Sequence, residues 1–204
     1  MLKLDSGFPD LEINSWFPTL IGVSFYKDHK KEAPGIIKHL DLQKNKCSKS
    51  IGQSSFYLHS CHKDKKLNNL NKWMQARVDD YTKFNGFPKK CKPAESWFHC
   101  YEKNNLADAH VHLGRIISVV YYLQSDPDDS RVIFHSPLPA DMANPFNITA
   151  NDSKERFQKD HTHTECFYKP VEGMLLIFRS YLWHKVELKN NKLKDRIIIS
   201  WDLK

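Results

Sequence analysis

The sequence predicts a mainly β domain with flanking helices, and three features carry that expectation. From Ser96 onward the chain is a series of short β-prone runs: Ser96 to Tyr101, Ala107 to His112, Ile116 to Leu123, Arg131 to Phe134, Cys166 to Lys169, Met174 to Phe178, Trp183 to Leu188 and Arg196 to Asp202. Turn-forming clusters separate several of them, at Lys103-Asn104-Asn105, Asp126-Pro127-Asp128, Glu172-Gly173 and Asn190-Asn191. Many short strands at this spacing make a sandwich or jelly roll. Before them, Leu67, Leu70, Trp73, Met74, Arg77, Val78 and Tyr81 recur at helical spacing, which gives one helix with an apolar face to lay on a sheet.

In chain order, LEINSWFPTLIGVSFY (11–26) is apolar and β-prone with a proline break, the pattern of a short strand entering the core. Ala33 to Leu42 reads as a short helix with Pro34 in its first turn. Gln43 to Ser60 is polar and loop-like, and its end, SSFYLHS, fits a brief strand. The clear helix runs from Lys66 to Phe84, with Asn85-Gly86 as its stop. Its Trp and Met are assigned to core packing. The linker GFPKKCKP then leads into the strands. The connection from Ser136 to Thr164 is long and polar with three prolines, a composition expected of a functional lid. The domain expectation is one unit, 1–204: a support region 1–94 and a β core 95–204 carrying a lid at 136–164.

A chain of 204 residues, 40% hydrophobic and 12% aromatic, has enough apolar material for a core and too much for a disordered protein. No apolar run approaches the roughly 20 residues that cross a bilayer, and acids and a proline stand in the N-terminus where a signal peptide is apolar. The expectation is a soluble cytoplasmic protein with no membrane partner. The five cysteines show no C-x-x-C spacing, which fits reduced thiols; a zinc site from Cys61, His62, Cys91 and Cys100 would lack the usual knuckle. The net charge of +7 comes largely from lysine clusters in apparent loops of the N-terminal half. That permits an acidic partner such as nucleic acid, but the clusters lie in apparent loops with few arginines, so a solvated surface is the better explanation.

The chemistry concentrates in two stretches. His110 and His112 stand two apart, so on an extended strand both side chains share a face. Two imidazoles there plus a third from a distant strand can hold one face of an octahedral metal and leave the rest open, as oxygen chemistry at Fe(II) requires. His184, after the apolar run MLLIF, is the best third ligand. His161 and His163 form another such pair, but within the polar lid. Arg196 opens the run RIIISW, and an arginine heading a buried strand must find an anion. That anion is either an internal carboxylate such as Asp108 or Glu102, or a ligand carboxylate gripped in bidentate fashion. Ser118 and Tyr122, four apart on one strand, share a face and offer hydroxyl donors.

The order Tyr…His-x-His…Ser-x-x-x-Tyr…His…Arg resembles the Fe(II)/2-oxoglutarate-dependent oxygenases, in particular the prolyl-hydroxylase-like branch and, within it, an oxygenase family of marine bacteria and phages. SWFHCYEKNNLADAHVHLGRIISVVYYLQ resembles the strands carrying the first two metal ligands, and GMLLIFRSYLWHKVELKNNKLKDRIIISW the pair carrying the distal histidine and the cosubstrate arginine. WFPTLIG resembles the opening segment. The resemblance implies a double-stranded β-helix (jelly roll, cupin-like) barrel and a dioxygenase that hydroxylates its substrate while converting 2-oxoglutarate to succinate and CO2. It implies Fe(II) on His110, His112 and His184, with 2-oxoglutarate on Arg196 beside Tyr122, Ser118 and Tyr101, and ascorbate in support. His112 stands where the usual ligand is aspartate, and Asp108 is the nearest carboxylate that could substitute. A three-histidine cupin-type dioxygenase without 2-oxoglutarate and a non-catalytic basic jelly-roll module are the alternatives. The substrate classes compatible with these residues are a protein side chain, a nucleobase and a small molecule, and the family's range includes virus-encoded members.

Overall fold

The computed structural model describes residues 2–4, 13–15, 19–44, 53–56, 59–101, 107–138, 164–188 and 196–204. A short antiparallel pair, β1 (Leu2–Leu4) and β2 (Ile13–Ser15), precedes the main body. Then come β3 (Ile21–Phe25), α1 (His29–Lys44), β4 (Gln53–Ser54) and α2 (Asn68–Phe84). The β-rich part follows as β5 (Pro93–Tyr101), β6 (Ala107–His110), β7 (Ile117–Gln124), β8 (Val132–His135), β9 (Glu165–Tyr168), β10 (Met174–Arg179), β11 (His184–Val186) and β12 (Arg196–Leu203).

These strands form two antiparallel sheets, a major one ordered β3-β10-β7-β12-β5-β4 and a minor one ordered β6-β11-β8-β9. The arrangement is a jelly roll of two open sheets, with no hydrogen-bonded closure into one barrel among the described residues. Alternation along each strand divides the major sheet's side chains between two cores. On β12, Ile197, Ile199, Trp201 and Leu203 join the cluster under the helices with Leu70, Met74 and Val78 of α2. Ile198 faces the minor sheet with Tyr122, Phe178, Phe134 and Val186. Covered on both sides, β12 is buried along its whole length.

All eight strands expected after Ser96 are present, with ends displaced by at most a few residues. In the region 11–26, β2 and β3 take the place of a single strand. Helix α2 starts two residues after the expected Lys66, following a 3-10 turn at Lys65–Leu67, and both Trp73 and Met74 pack into the core. Helix α1 begins four residues earlier than expected, which puts Pro34 in its second turn. Among the described residues no helix is long and apolar enough to cross a membrane. Most of the expected lid, 139–163, including His161 and His163, lies outside the described residues, as do Cys47, Glu102 and the Lys103-Asn104-Asn105 turn. Its base is described: Ser136 N–H donates to the Thr164 carbonyl at 2.8 Å.

Because β12 carries both cores, truncating it should be costly. Ile199→Ala, at a fully buried site, should lower unfolding free energy by about 2–5 kcal/mol, as read from the midpoint of urea denaturation.

Candidate active site

The site is assembled from five strands, β5, β6, β7, β11 and β12, and the turn after β6. On the minor sheet, His184 of β11 lies directly across from His110 of β6 in the antiparallel register, so two residues far apart in sequence share one edge. β6 ends at His110 rather than reaching His112, a difference from the expected strand. His112 instead opens the turn His112 to Arg115, closed by Arg115 N–H to the His112 carbonyl at 3.3 Å. Gly114 has φ +70 at the third position of that turn, the left-handed conformation a type II turn needs there. A second tether, His112 N–H to the Ser180 carbonyl at 3.0 Å, fixes the turn against the end of β10.

The three imidazoles meet. One nitrogen from each of His110, His112 and His184 lies within 4.8 Å of the others, and His112 Nε2 is 3.3 Å from His184 Nε2. Their other nitrogens are all engaged outward. His110 Nδ1 lies 2.6 Å from the Asp108 carbonyl oxygen, His184 Nδ1 2.9 Å from that of Leu182, and His112 Nδ1 2.7 Å from Asp202 Oδ2. A carbonyl oxygen only accepts, so Nδ1 of His110 and His184 must carry the proton, and the lone pair is left on Nε2. Burial, first of all, pushes the His184 pKa from 6.5 down to about 3, with His110 adding to the effect. Burial likewise lowers the His110 pKa. Neutral rings with lone pairs converging at this distance repel one another unless a cation lies between them, so the donor set fits a divalent metal.

The ring of His112 is also held in its plane: Trp97 stacks on it with centroids 6.1 Å apart and 21° between planes. Phe178 and Phe134 pack on His184 at 4.8 and 5.8 Å, keeping water from that ligand. Asp202, facing the minor sheet near the end of β12, accepts a second hydrogen bond from Ser118 Oγ at 2.7 Å, and Ser118 Oγ lies 2.8 Å from Ser180 Oγ.

Arg196 stands at the other end of the same face of β12, about 20 Å along the strand at roughly 3.3 Å per residue. It is 1% exposed, and its Nε and Nη1 have no hydrogen-bond partner. The guanidinium carbon sits 4.8 Å from the Tyr101 ring centroid and 5.5 Å from that of Tyr122. The Tyr122 hydroxyl is buried and unpartnered as well. Burial raises the Tyr122 pKa to about 12 against the pull of Arg196, so the phenol keeps its proton to donate. Among the described residues no carboxylate is paired with Arg196: Asp108 is exposed and offers only its backbone oxygen to His110. A buried guanidinium with idle donors beside an idle hydroxyl fits the carboxylate of a small ligand.

The expected site residues are thus distributed as follows. His110, His112 and His184 come together, and Tyr101 and Tyr122 flank Arg196. Ser118 does not lie beside Arg196: its register partner on β12 is Asp202, and its hydroxyl serves the His112 end. It stands four positions from Tyr122, so sharing a face does not mean sharing a site. Nothing in the sequence pattern singled out Trp97, Ser180 or Asp202. For Asp202 a signal existed, since it is a second charged residue of the same parity as Arg196 on a largely apolar strand. The expected cysteine site does not form among the described residues, where Cys61, Cys91 and Cys100 are buried thiols outside any disulfide and Cys166 is exposed. A second histidine group, His39 and His59 around Asp64, is closed on itself: the two Nε2 atoms lie 2.7 and 2.9 Å from one carboxylate oxygen. It is a polar clasp between α1 and the segment leading to α2.

Comparison with known proteins agrees with this geometry. Residues 95–202, more than half the chain, match the family model described as "Putative 2OG-Fe(II) oxygenase". The chain belongs to this family. The family implies Fe(II) and 2-oxoglutarate as the groups to be held, and the two donor sets above fit them. Solved structures with the same fold include a Pseudomonas putida prolyl-4-hydroxylase, 12% identical with a TM-score of 0.60, covering 90% of this chain and 92% of that one. HygX from Streptomyces hygroscopicus, solved with iron bound, is 12% identical with a TM-score of 0.58 over 91% of this chain and 82% of that one. The viral collagen prolyl hydroxylase of Paramecium Bursaria Chlorella virus-1, in complex with 2OG, is 10% identical with a TM-score of 0.54 over 90% and 94%. No curated protein matches the chain.

The low His184 pKa has a consequence for the metal-free protein. Above pH 6.5 folded and unfolded states both hold this ring neutral. Below it the unfolded state takes up a proton that the folded state refuses, so stability falls as pH falls toward about 3. The slope from this group approaches about 1.4 kcal/mol per pH unit. Chemical denaturation of the apoprotein between pH 7 and 5 should show that loss, and His184→Phe should flatten it; equal slopes would contradict the assignment.

Proposed function

We propose that this oxygenase is an Fe(II)- and 2-oxoglutarate-dependent dioxygenase that hydroxylates its substrate and converts 2-oxoglutarate to succinate and CO2. The observation that supports the 2-oxoglutarate part most strongly is the buried Arg196, with two guanidinium nitrogens and the neighbouring Tyr122 hydroxyl all lacking partners.

In this reading His110, His112 and His184 hold the iron through Nε2, with proton positions fixed by the acceptors at Nδ1. Bound together, Fe(II) and 2-oxoglutarate would activate O2, which as the oxidant would take two electrons from 2-oxoglutarate and two from the substrate. The chain's own work is placement. Arg196 and Tyr122 take the far carboxylate of the diacid, which sets the direction in which its keto-acid end enters. The Tyr101 and Tyr122 rings hold the guanidinium from its faces and disperse its charge. Phe134 and Phe178 keep the His184 side dry, so the electrostatics around the metal act in a medium of low polarity. Ascorbate would serve only to keep the iron reduced. Among the solved structures with this fold are a viral collagen prolyl hydroxylase and HygX with nickel, 2-oxoglutarate and hygromycin B bound. For this chain a protein side chain and a small polar molecule are accordingly the first substrates to try.

One observation favours a second reading, a three-histidine dioxygenase that needs no 2-oxoglutarate: every ligand in the cluster is an imidazole. The two separate on Arg196. With Fe(II) and ascorbate, the protein should convert 2-oxoglutarate to succinate. Losing a buried charge-assisted anchor costs about 2–5 kcal/mol, so Arg196→Ala should raise the half-saturating 2-oxoglutarate concentration at least about 30-fold. Oxygen consumption that is independent of 2-oxoglutarate and untouched by Arg196→Ala would establish the second reading instead.

A further inference from the structure

Three neutral imidazoles give a divalent cation no negative charge, whereas the two-histidine, one-carboxylate arrangement cancels one unit of it. A carboxylate is nevertheless present, one ring further out. Asp202 is 4% exposed, and its Oδ2 lies 2.7 Å from the Nδ1 of His112, whose Nε2 faces the other two ligands. Its second oxygen takes the Ser118 hydroxyl at 2.7 Å. The hydrogen-bond partners of this buried carboxylate are therefore an imidazole and a hydroxyl, with no lysine or arginine paired to it among the described residues. Burying a carboxylate without a cation is costly, and the two places for one are the His112 ring itself, when protonated, and a metal on the far side of that ring.

We propose that Asp202 supplies, through His112, the negative charge that a carboxylate ligand would supply directly. This rests on reading the histidine cluster as a metal site. His112 and Asp202 then act as one unit: the carboxylate accepts from Nδ1–H, pushes electron density toward Nε2 and makes that nitrogen a stronger donor to the metal. Three features of the fold serve the pairing. β12 places Asp202 on the inner face, the Ser118 hydroxyl, itself 2.8 Å from that of Ser180, bonds its free oxygen, and Trp97 stacks on the ring so that Nδ1 stays aimed at Oδ2. Asp202 is a positioning and charge-balancing residue, since it touches the metal only through His112.

The test is a metal-binding cycle read without turnover. Co(II) is titrated into the metal-free protein and its two backgrounds, with folding checked by thermal unfolding. Asp202→Asn should weaken Co(II) binding by about 10- to 100-fold. In the His112→Asp background the charge already sits on the metal, so adding Asp202→Asn should change affinity less than about 3-fold. An equal loss in both backgrounds would assign Asp202 to packing and overturn the proposal, as would no loss in the first. Should Asp202→Asn fail to fold, NMR of the Zn(II)-loaded wild type decides. The His112 Nδ1–H proton, bonded to a carboxylate, should resonate downfield of those of His110 and His184, which are bonded to carbonyls; coincidence with them overturns the pairing. Wild-type protein that binds neither metal would remove the metal reading together with this one, whereas metal binding that ignores Asp202 would remove this one alone.

Discussion

The structure depends on one strand that is buried on both faces. β12 runs between β7 and β5, with the helices on one side and the minor sheet on the other. On its helix side it carries only apolar residues. On the inner side the sequence Arg196, Ile198, Ser200, Asp202 places a cation and a carboxylate at opposite ends of one dry surface. Neither charge is tolerable there unless something answers it. Asp202 is answered by His112, and through it by whatever His112 binds. Among the described residues Arg196 is answered by two aromatic rings and the neighbouring Tyr122 hydroxyl, with no carboxylate paired to it. The same burial that stabilises the fold therefore obliges both ends of the strand to take partners, which in the proposed function are a metal behind His112 and the carboxylate of a diacid at Arg196.

The histidine cluster shows the complementary constraint. Its three side chains come from β6, from a turn and from β11, and none could hold a metal if its ring were free to spin or to exchange tautomers. Each Nδ1 is tied to an acceptor that forms part of the local backbone or of β12. Burial depresses the affinity of His110 and His184 for protons, and that same property keeps their lone pairs available at neutral pH.

Much of this was legible in the sequence, for physical reasons. Period-2 alternation and turn residues located the strands after Ser96, and 3.6-residue spacing located α2. The positions at which His110, His112, His184 and Arg196 fall relative to those strands identified the candidates, and the resemblance to a known oxygenase order tied them together. Other features were not legible because they are set by pairing between distant segments. That Ser118 faces Asp202 instead of Arg196 follows from the β7–β12 register, which no local pattern encodes. Trp97 reads as an ordinary β-strand aromatic until His112 is found stacked on it. The earlier start of α1 was hidden because Pro34 reads as a first-turn proline, yet the helix accommodates it one turn later. Asp202 was overlooked at the end of a strand valued only for its arginine, although a carboxylate on the inner face of a buried strand is itself a sign of a partner.

The central claim is that Nε2 of His110, His112 and His184 share one ferrous ion while Arg196 and Tyr122 receive the far carboxylate of a diacid. A crystal structure of the protein loaded anaerobically with Fe(II) and 2-oxoglutarate tests it most directly. The expected result is iron bound by all three Nε2 atoms, Asp202 still bonded to His112 Nδ1, and the distal carboxylate of 2-oxoglutarate on Arg196. Iron bound elsewhere, or Arg196 closed on a carboxylate of the chain itself, would contradict the account.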